Sequence, residues 1–345
     1  LGPVIDWSEV FGVDLESAIR ATFVLRVWVQ QNGGRYDPGI LDLPHMTEVF
    51  ERAAPRHEIE MIAAALTTTV NDAKAANAEV APLPPEKQRC SLNPLFASPL
   101  VDLGDRGTWA PPTSLVDRAL YPSNLYYRGI KKWGKSFTDA LGQRTEAYVG
   151  RNLALIAHEQ DLHSEITYWE GKRKLKSVDW IWVTPHAVVL VESKSARMTL
   201  GARAGDGSLS SLVDRYIVHA REQIDRTASL IQARTPPFDR FPSDRPIVGL
   251  AVTSEPFYLA NSELTEYGAR PNTPSLVMSL RELERWVCKP PAEAVTSILD
   301  VLEDPDRRTW ALSQSLTDGN DLKRNAILDD AWNRYEFLER RSRRS

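Results

Sequence analysis

The sequence predicts an α/β protein in which a helix, three strands, a second helix and a last strand follow one another near the middle of the chain. Three observations carry that prediction. The stretch Ser177 to Lys194, SVDWIWVTPHAVVLVESK, reads as two strands rich in β-branched and aromatic residues, joined by a tight turn at Thr184-Pro185-His186. After it, Val213, Ile217, Ala220, Ile224, Ala228 and Ile231 recur at spacings of three and four, the apolar stripe of a helix from Leu212 to about Ala233. Then Ile247 to Ser254 is almost wholly apolar, as a strand covered on both faces must be. Mostly helical additions are expected on either side. The chain divides into a helical region over 1–88, a hairpin and connector over 89–135, the core over 136–260 and a helical region over 261–345.

Taken in order, Asp14 is placed to cap a helix that runs to Gln31, with Leu15, Ile19, Phe23, Val27 and Trp28 near helical spacing and Gly33-Gly34 ending it. A second helical stretch, about Thr47 to Asn77, is divided by Pro55. Ala81-Pro82-Leu83-Pro84-Pro85 is a stiff loop or linker, and Pro99 to Pro111 turns through Gly104-Asp105-Arg106-Gly107 as a hairpin. Ser136-Phe137-Thr138-Asp139 has the form of a capping box opening the core's first helix, which carries Glu146 near its apolar side. Ser164 to Trp169 is expected as the first core strand and Glu170 to Lys174 as a basic turn. Beyond Lys194 lies a Gly-, Ser- and Ala-rich loop, Ser195 to Ser211. Later helices are expected after Ser279, over Pro291 to Leu302, and over Asp321 to Glu339.

Composition narrows the class. The chain has 345 residues, 42% hydrophobic and 26% charged, ordinary for a globular protein. Lys and Arg number 42 against 46 Asp and Glu, so the net charge of −4 creates no global basic field, and local patches must decide any phosphate binding. No apolar run approaches the ~18 residues of a membrane span, and the start shows no signal-peptide pattern. Cys90 and Cys288 give neither a disulfide framework nor a zinc cluster, so a cytoplasmic location is expected. Because the sequence begins Leu-Gly-Pro, a further N-terminal region is expected to precede it.

The chemistry-bearing residues sit on the two central strands. Side chains alternate with period two, so Asp179, Ile181 and Val183 share one face of the first strand, and Val188, Leu190, Glu192 and Lys194 share one face of the second. An acid and a base ending an apolar strand cost desolvation energy unless they are paired or solvated. A hairpin brings Asp179 close to Glu192, and two converging carboxylates suit a hard divalent cation such as Mg²⁺. A lysine beside them can orient water or steady charge developing at a phosphate.

Asp179, a gap of twelve residues, then Glu192-Ser193-Lys194 resembles the motif of the PD-(D/E)XK nuclease superfamily, with Val178 where that name has proline. The resemblance spans roughly Ser136 to Tyr258. It implies a restriction-endonuclease-like α-β-β-β-α-β core, an acid on the first helix (Glu146) and a glutamine on the second (Gln223). It also implies a metal-dependent DNA nuclease in a bacterial defence or DNA-processing system, with Asp179, Glu192 and Glu146 on Mg²⁺, Mn²⁺ able to substitute, and Lys194 and Gln223 completing the catalytic set. DNA is the expected partner, with RNA second, together with a further copy of the chain or a partner protein, and no membrane. Lys172, Arg173, Lys174 and Lys176, with Arg197 and Arg203 in the loop, are the expected nucleic-acid contacts. The alternative is a nuclease-like domain that binds nucleic acid or assembles with a partner without cutting.

Overall fold

Asp14 begins the first long helix, Leu15–Gln31: its carboxylate accepts the backbone N–H groups of Glu16 and Ser17 at 2.9 and 3.0 Å. The buried side of this helix is Ala18, Ala21, Leu25 and Trp28, whereas Ile19 and Phe23 are each 37% exposed. The small residues let it pack against the helix Arg56–Ala65, where Ile59, Ile62 and Ala63 are buried and Glu58 accepts the Ser17 hydroxyl at 2.9 Å. The computed structural model from which these contacts are read describes residues 4–79, 84–91, 93–197, 202, 208–257, 260–262, 271–315 and 324–335.

The chain forms two compact units, 1–140 with 331–345, and 141–330; the division falls inside the helix Lys135–Leu153. In the first unit, β1 (Arg35–Tyr36), β2 (Thr67–Thr69), β3 (Leu100–Asp102) and β4 (Thr108–Trp109) form a sheet of order β1-β4-β3-β2. β3 and β4 are the expected hairpin. β2 interrupts the second helical stretch, because three successive threonines favour extended backbone. The last of them caps the next helix, Val70–Ala78, taking the Asp72 N–H at 3.1 Å. The helix Lys135–Leu153 starts one residue before the expected capping serine and is set off from the helix Pro122–Trp133 by Gly134, at φ 56°.

The second unit holds a five-stranded sheet. Its strands are β5 (Leu162–Ser164), β8 (Trp180–Val183), β9 (Val188–Lys194), β10 (Ile247–Thr253) and β11 (Ser275–Ser279); β6 (Thr167–Glu170) and β7 (Arg173–Lys176) pair separately as a hairpin. The sheet order is β11-β10-β9-β8-β5, antiparallel from β5 to β9 and parallel from β9 to β11. The first core strand is therefore shorter than Ser164 to Trp169 implies: the chain leaves the sheet after Ser164 and turns out into β6. β11 lies in the stretch expected to be helical, and forms because its apolar residues extend the parallel ladder of β10.

Alternation divides the sheet's two faces as the sequence reads. Ile181, Val188, Leu190 and Ile247 pack against Ile224, Ala228 and Ile231 of the helix His219–Gln232. On the other face Trp182, Val189, Val191, Leu250 and Met278 meet Val149 and Leu153 of Lys135–Leu153 and residues of the helices Leu280–Trp286 and Pro291–Glu303. Gly150 is required where the first helix meets the sheet, since a Cβ there would stand 2.1 Å from the Trp180 ring. Among the described residues no helix is long and apolar enough to cross a membrane.

Candidate active site

The β8–β9 hairpin sets the site at its open end. Its turn is closed by Thr184, whose N–H donates to the Ala187 carbonyl at 2.9 Å and whose Oγ1 accepts the Ala187 N–H at the same distance. The register Trp180↔Val191, Ile181↔Leu190 then carries Asp179 alongside Glu192. The segment leading into β8 is pinned to the helix His219–Gln232: Val178 N–H donates to Thr227 Oγ1 at 3.1 Å and Gln223 Nε2 to the Ser177 carbonyl at 3.1 Å. Asp179 thus enters the site from a fixed backbone.

The carboxylates of Asp179 and Glu192 are 7% and 2% exposed as residues. Asp179 N–H donates to Glu192 Oε2 at 3.3 Å. Asp179 Oδ2 accepts the Ser193 N–H at 2.8 Å and the Ser193 hydroxyl. Lys194 Nζ donates to Glu192 Oε1 and, at 3.3 Å, to Gln223 Oε1. Asp179, Glu192, Lys194 and Gln223 are therefore one hydrogen-bonded chain contributed by two strands and a helix. Glu146 stands apart from it. Its backbone carbonyl accepts the Trp180 indole N–H at 3.1 Å, and its carboxyl feels Asp179 through space.

Burial dominates the electrostatics. It pushes Glu192 up to about 8, aided by the charge of Asp179 and opposed by Lys194. Asp179 is pushed up by burial and held back by the Ser193 hydrogen bonds and Lys194. Glu146 is raised by burial, then by Asp179 and Glu165, with Lys176 opposing. Two buried acids side by side favour protons or a counter-charge.

Two residues of the site were not singled out in the sequence. Ser193, the middle of Glu-Ser-Lys, secures Asp179; strand alternation assigns it to the other face, but Asp179 lies just outside the β8 ladder and reaches the Ser193 backbone. Glu165 pairs with Lys176 at 2.8 Å and adds a third negative charge near Asp179 and Glu146. It falls at the break between β5 and β6, which continuous alternation through Ser164 to Trp169 conceals.

The basic residues are distributed otherwise than a turn implies. Lys172 to Lys176 includes strand β7, and the turn proper is at Gly171, φ 59°. Lys172, Arg173, Lys174 and Lys176 are exposed, with Lys174 opposite Trp169, itself 67% exposed. Arg197 is turned to Glu255, 2.9 Å away, with 11% of its side chain exposed. Arg203 lies outside the described residues.

A hard divalent cation is tested against this donor set. Among the described residues no three His, Cys, Asp or Glu side chains come together as a group that could hold a metal. Glu146 therefore does not close with Asp179 and Glu192 into the expected three-carboxylate set. The pair Asp179 and Glu192 fits by itself: it is all oxygen, buried and like-charged, and Mg²⁺ characteristically takes one or two protein carboxylates and completes its shell with water and phosphate.

No family model matches the chain, and no curated protein matches it. Among solved structures it is similar to the small subunit of the heterodimeric restriction endonuclease R.BspD6I, at 11% identity and TM-score 0.28, over 62% of this chain and 97% of that one. At that TM-score the likeness carries no argument about fold or function. What the described residues define is an α/β protein with a mixed sheet and a pair of buried acids joined to a part-buried lysine at the ends of its inner strands β8 and β9.

Proposed function

We propose that residues 136–260 form a restriction-endonuclease-like core and that the chain hydrolyses phosphodiester bonds of nucleic acid, DNA first, with Mg²⁺ or Mn²⁺. One observation carries the reading: Asp179, Glu192 and Lys194 converge in a single buried network, with Gln223 holding the lysine. The order of elements in the main sheet and its helices, helix, three antiparallel strands with the β6–β7 hairpin inserted after the first, helix, parallel strand, supports the same reading.

When bound at the two carboxylates, a divalent cation supplies charge neutralisation at the phosphate and a more acidic water. The chain's own residues do the rest. Asp179 is fixed by Ser193, and Glu192 by Lys194 and the Asp179 N–H, so the two carboxylates are held in place side by side. Lys194, held between Glu192 and Gln223, presents an ammonium to hold the attacking water or the charge developing on the phosphate. Burial excludes water from the acids and strengthens each of these interactions.

Plasmid and single-stranded DNA incubated with Mg²⁺ or Mn²⁺, with Glu192→Ala in parallel, test the reading. Cleavage by the parent and none by the variant supports it. Because Glu146 stands outside the hydrogen-bonded network, a second reading is a domain that binds nucleic acid or a partner without cutting. Binding with no cleavage in either metal selects that one.

A further inference from the structure

The helix His219–Gln232 is entered through a π-helical turn, Asp214–Val218. Such turns widen the helix, change the angular spacing of its side chains, and recur at functional sites. Here Arg215, His219, Gln223 and Arg226 follow one another at four, four and three residues. They run beside the buried stripe Ile217, Ala220, Ile224 and Ala228. With Lys194 these four line a cleft of about 530 Å³ that opens from the candidate active site. Tyr216 is also part of its wall, and the Arg215 guanidinium lies 5.5 Å from that ring's centroid.

The charges in the cleft favour a phosphate. Arg197 and Lys176 are both committed to carboxylates. Arg215 and Arg226 are exposed, and neither has an ion-pair partner among the described residues. Glu222 is the one acid in the lining, against two arginines, a lysine and a histidine. Unpaired arginines beside a lysine make a phosphate site, since the guanidinium fork matches phosphate oxygens.

Length decides what kind of phosphate ligand fits. Eleven residues of helix separate Arg215 from Arg226, roughly 16 Å along the axis. Successive phosphates of a helical strand advance about 3.4 Å along its axis, so several of them fill that span and a mononucleotide does not. We infer that the cleft is the track for one strand of a nucleic-acid substrate, with Arg215 and Arg226 on its phosphates and His219 donating between them, leading the strand to Lys194. This rests on the nuclease reading for what happens at the Lys194 end, while the binding itself is independent of cleavage.

The test separates the two. Anisotropy of a short labelled single-stranded oligonucleotide is measured in EDTA over a range of salt, with labelled AMP as the comparison ligand, and cleavage is measured separately with Mg²⁺. Arg215→Ala and Arg226→Ala each weaken oligonucleotide binding several-fold and lower the slope of log K against log salt by about 0.7. Arg215→Lys restores the slope, because the charge is kept. Melting temperatures stay at the parent value, since both arginines are exposed, and Arg52→Ala in the first unit leaves binding unchanged. Parent-like affinity and slope in both alanine variants overturn the cleft, as does AMP binding as tightly as the oligonucleotide. Slope losses in a parent protein that does not cut sustain the cleft and sink the nuclease reading. Cutting by a parent whose alanine variants bind like it does the reverse.

Discussion

Two antiparallel hairpins follow one another directly in this chain, and they differ in almost everything except topology. In β8–β9 most residues are buried, and the polar groups at its open end are forced into one another's company. In β6–β7 most residues are exposed, and its cations face water. The same kinds of charged residue acquire different properties in the two places. Desolvation raises Glu192 to about 8, whereas the exposed Lys172, Arg173 and Lys174 can exchange counterions for phosphate. On the nuclease reading proposed above, chemistry falls to the first hairpin and phosphate affinity to the exposed cations of the second.

The largest effect expected from that contrast is on turnover. Lys194→Ala and Asp179→Ala each lower cleavage by roughly 10²–10⁴-fold, the range for removing a group that acts in the transition state. They differ in metal affinity. Calorimetric titration with Mn²⁺ shows weaker binding in Asp179→Ala and undiminished binding in Lys194→Ala. Equal loss of metal in both assigns Lys194 to holding the site together. Parent-like cleavage by both ends the nuclease reading.

Next in size is a gain of stability. A carboxyl raised in the folded state keeps a proton that the unfolded chain releases. The penalty from Glu192 is therefore absent below its ordinary value of 4.5, grows as pH rises, and is complete above about 8. Without divalent cation, the melting temperature falls over that window. Glu192→Gln flattens the fall and stabilises the fold at pH 8 by on the order of 2 kcal/mol, while abolishing cleavage. An unchanged melting profile in the variant refutes the assignment of the penalty to Glu192.

Packing gives a smaller loss. Gly150→Ala places a methyl group against Trp180 and costs about 1–3 kcal/mol, read as a lower denaturation midpoint. Smallest of all is the exposed hairpin: Lys172→Ala with Lys174→Ala shifts stability by no more than about 0.5 kcal/mol. The pair nonetheless weakens nucleic-acid binding at low salt. A fall in melting temperature comparable to that of Gly150→Ala removes the distinction between the two hairpins.

The sequence made legible the parts of the fold whose signal is local. The apolar run of β10, the alternation through Ile181 and Leu190, and the stripe of Ile217, Ile224 and Ile231 each report a buried face directly. Asp179, Glu192 and Lys194 were readable together because a hairpin converts their spacing into proximity. What stayed hidden depends on pairing at a distance. β11 is five residues that end on the capping serine of the next helix, and it is a strand only because β10 is there to receive it. Glu165 looked like one more residue of an alternating strand until the chain left the sheet beside it. The π turn at Asp214–Val218 stayed hidden as well, because the four-residue spacing of Arg215, His219 and Gln223 reads as ordinary α-helix.

Trp180 gives the site a ruler. Its ring occupies the space a side chain at position 150 would need, and its indole N–H holds the carbonyl of residue 146, one turn earlier on the same helix. Together these two contacts set how far along the sheet the helix lies, and so fix the backbone of Glu146 against the first residue of β8. Related chains should therefore vary positions 150 and 180 as a pair, a larger residue at one accompanying a smaller ring at the other. The seat of the helix on the sheet then stays constant while the residues that set it drift.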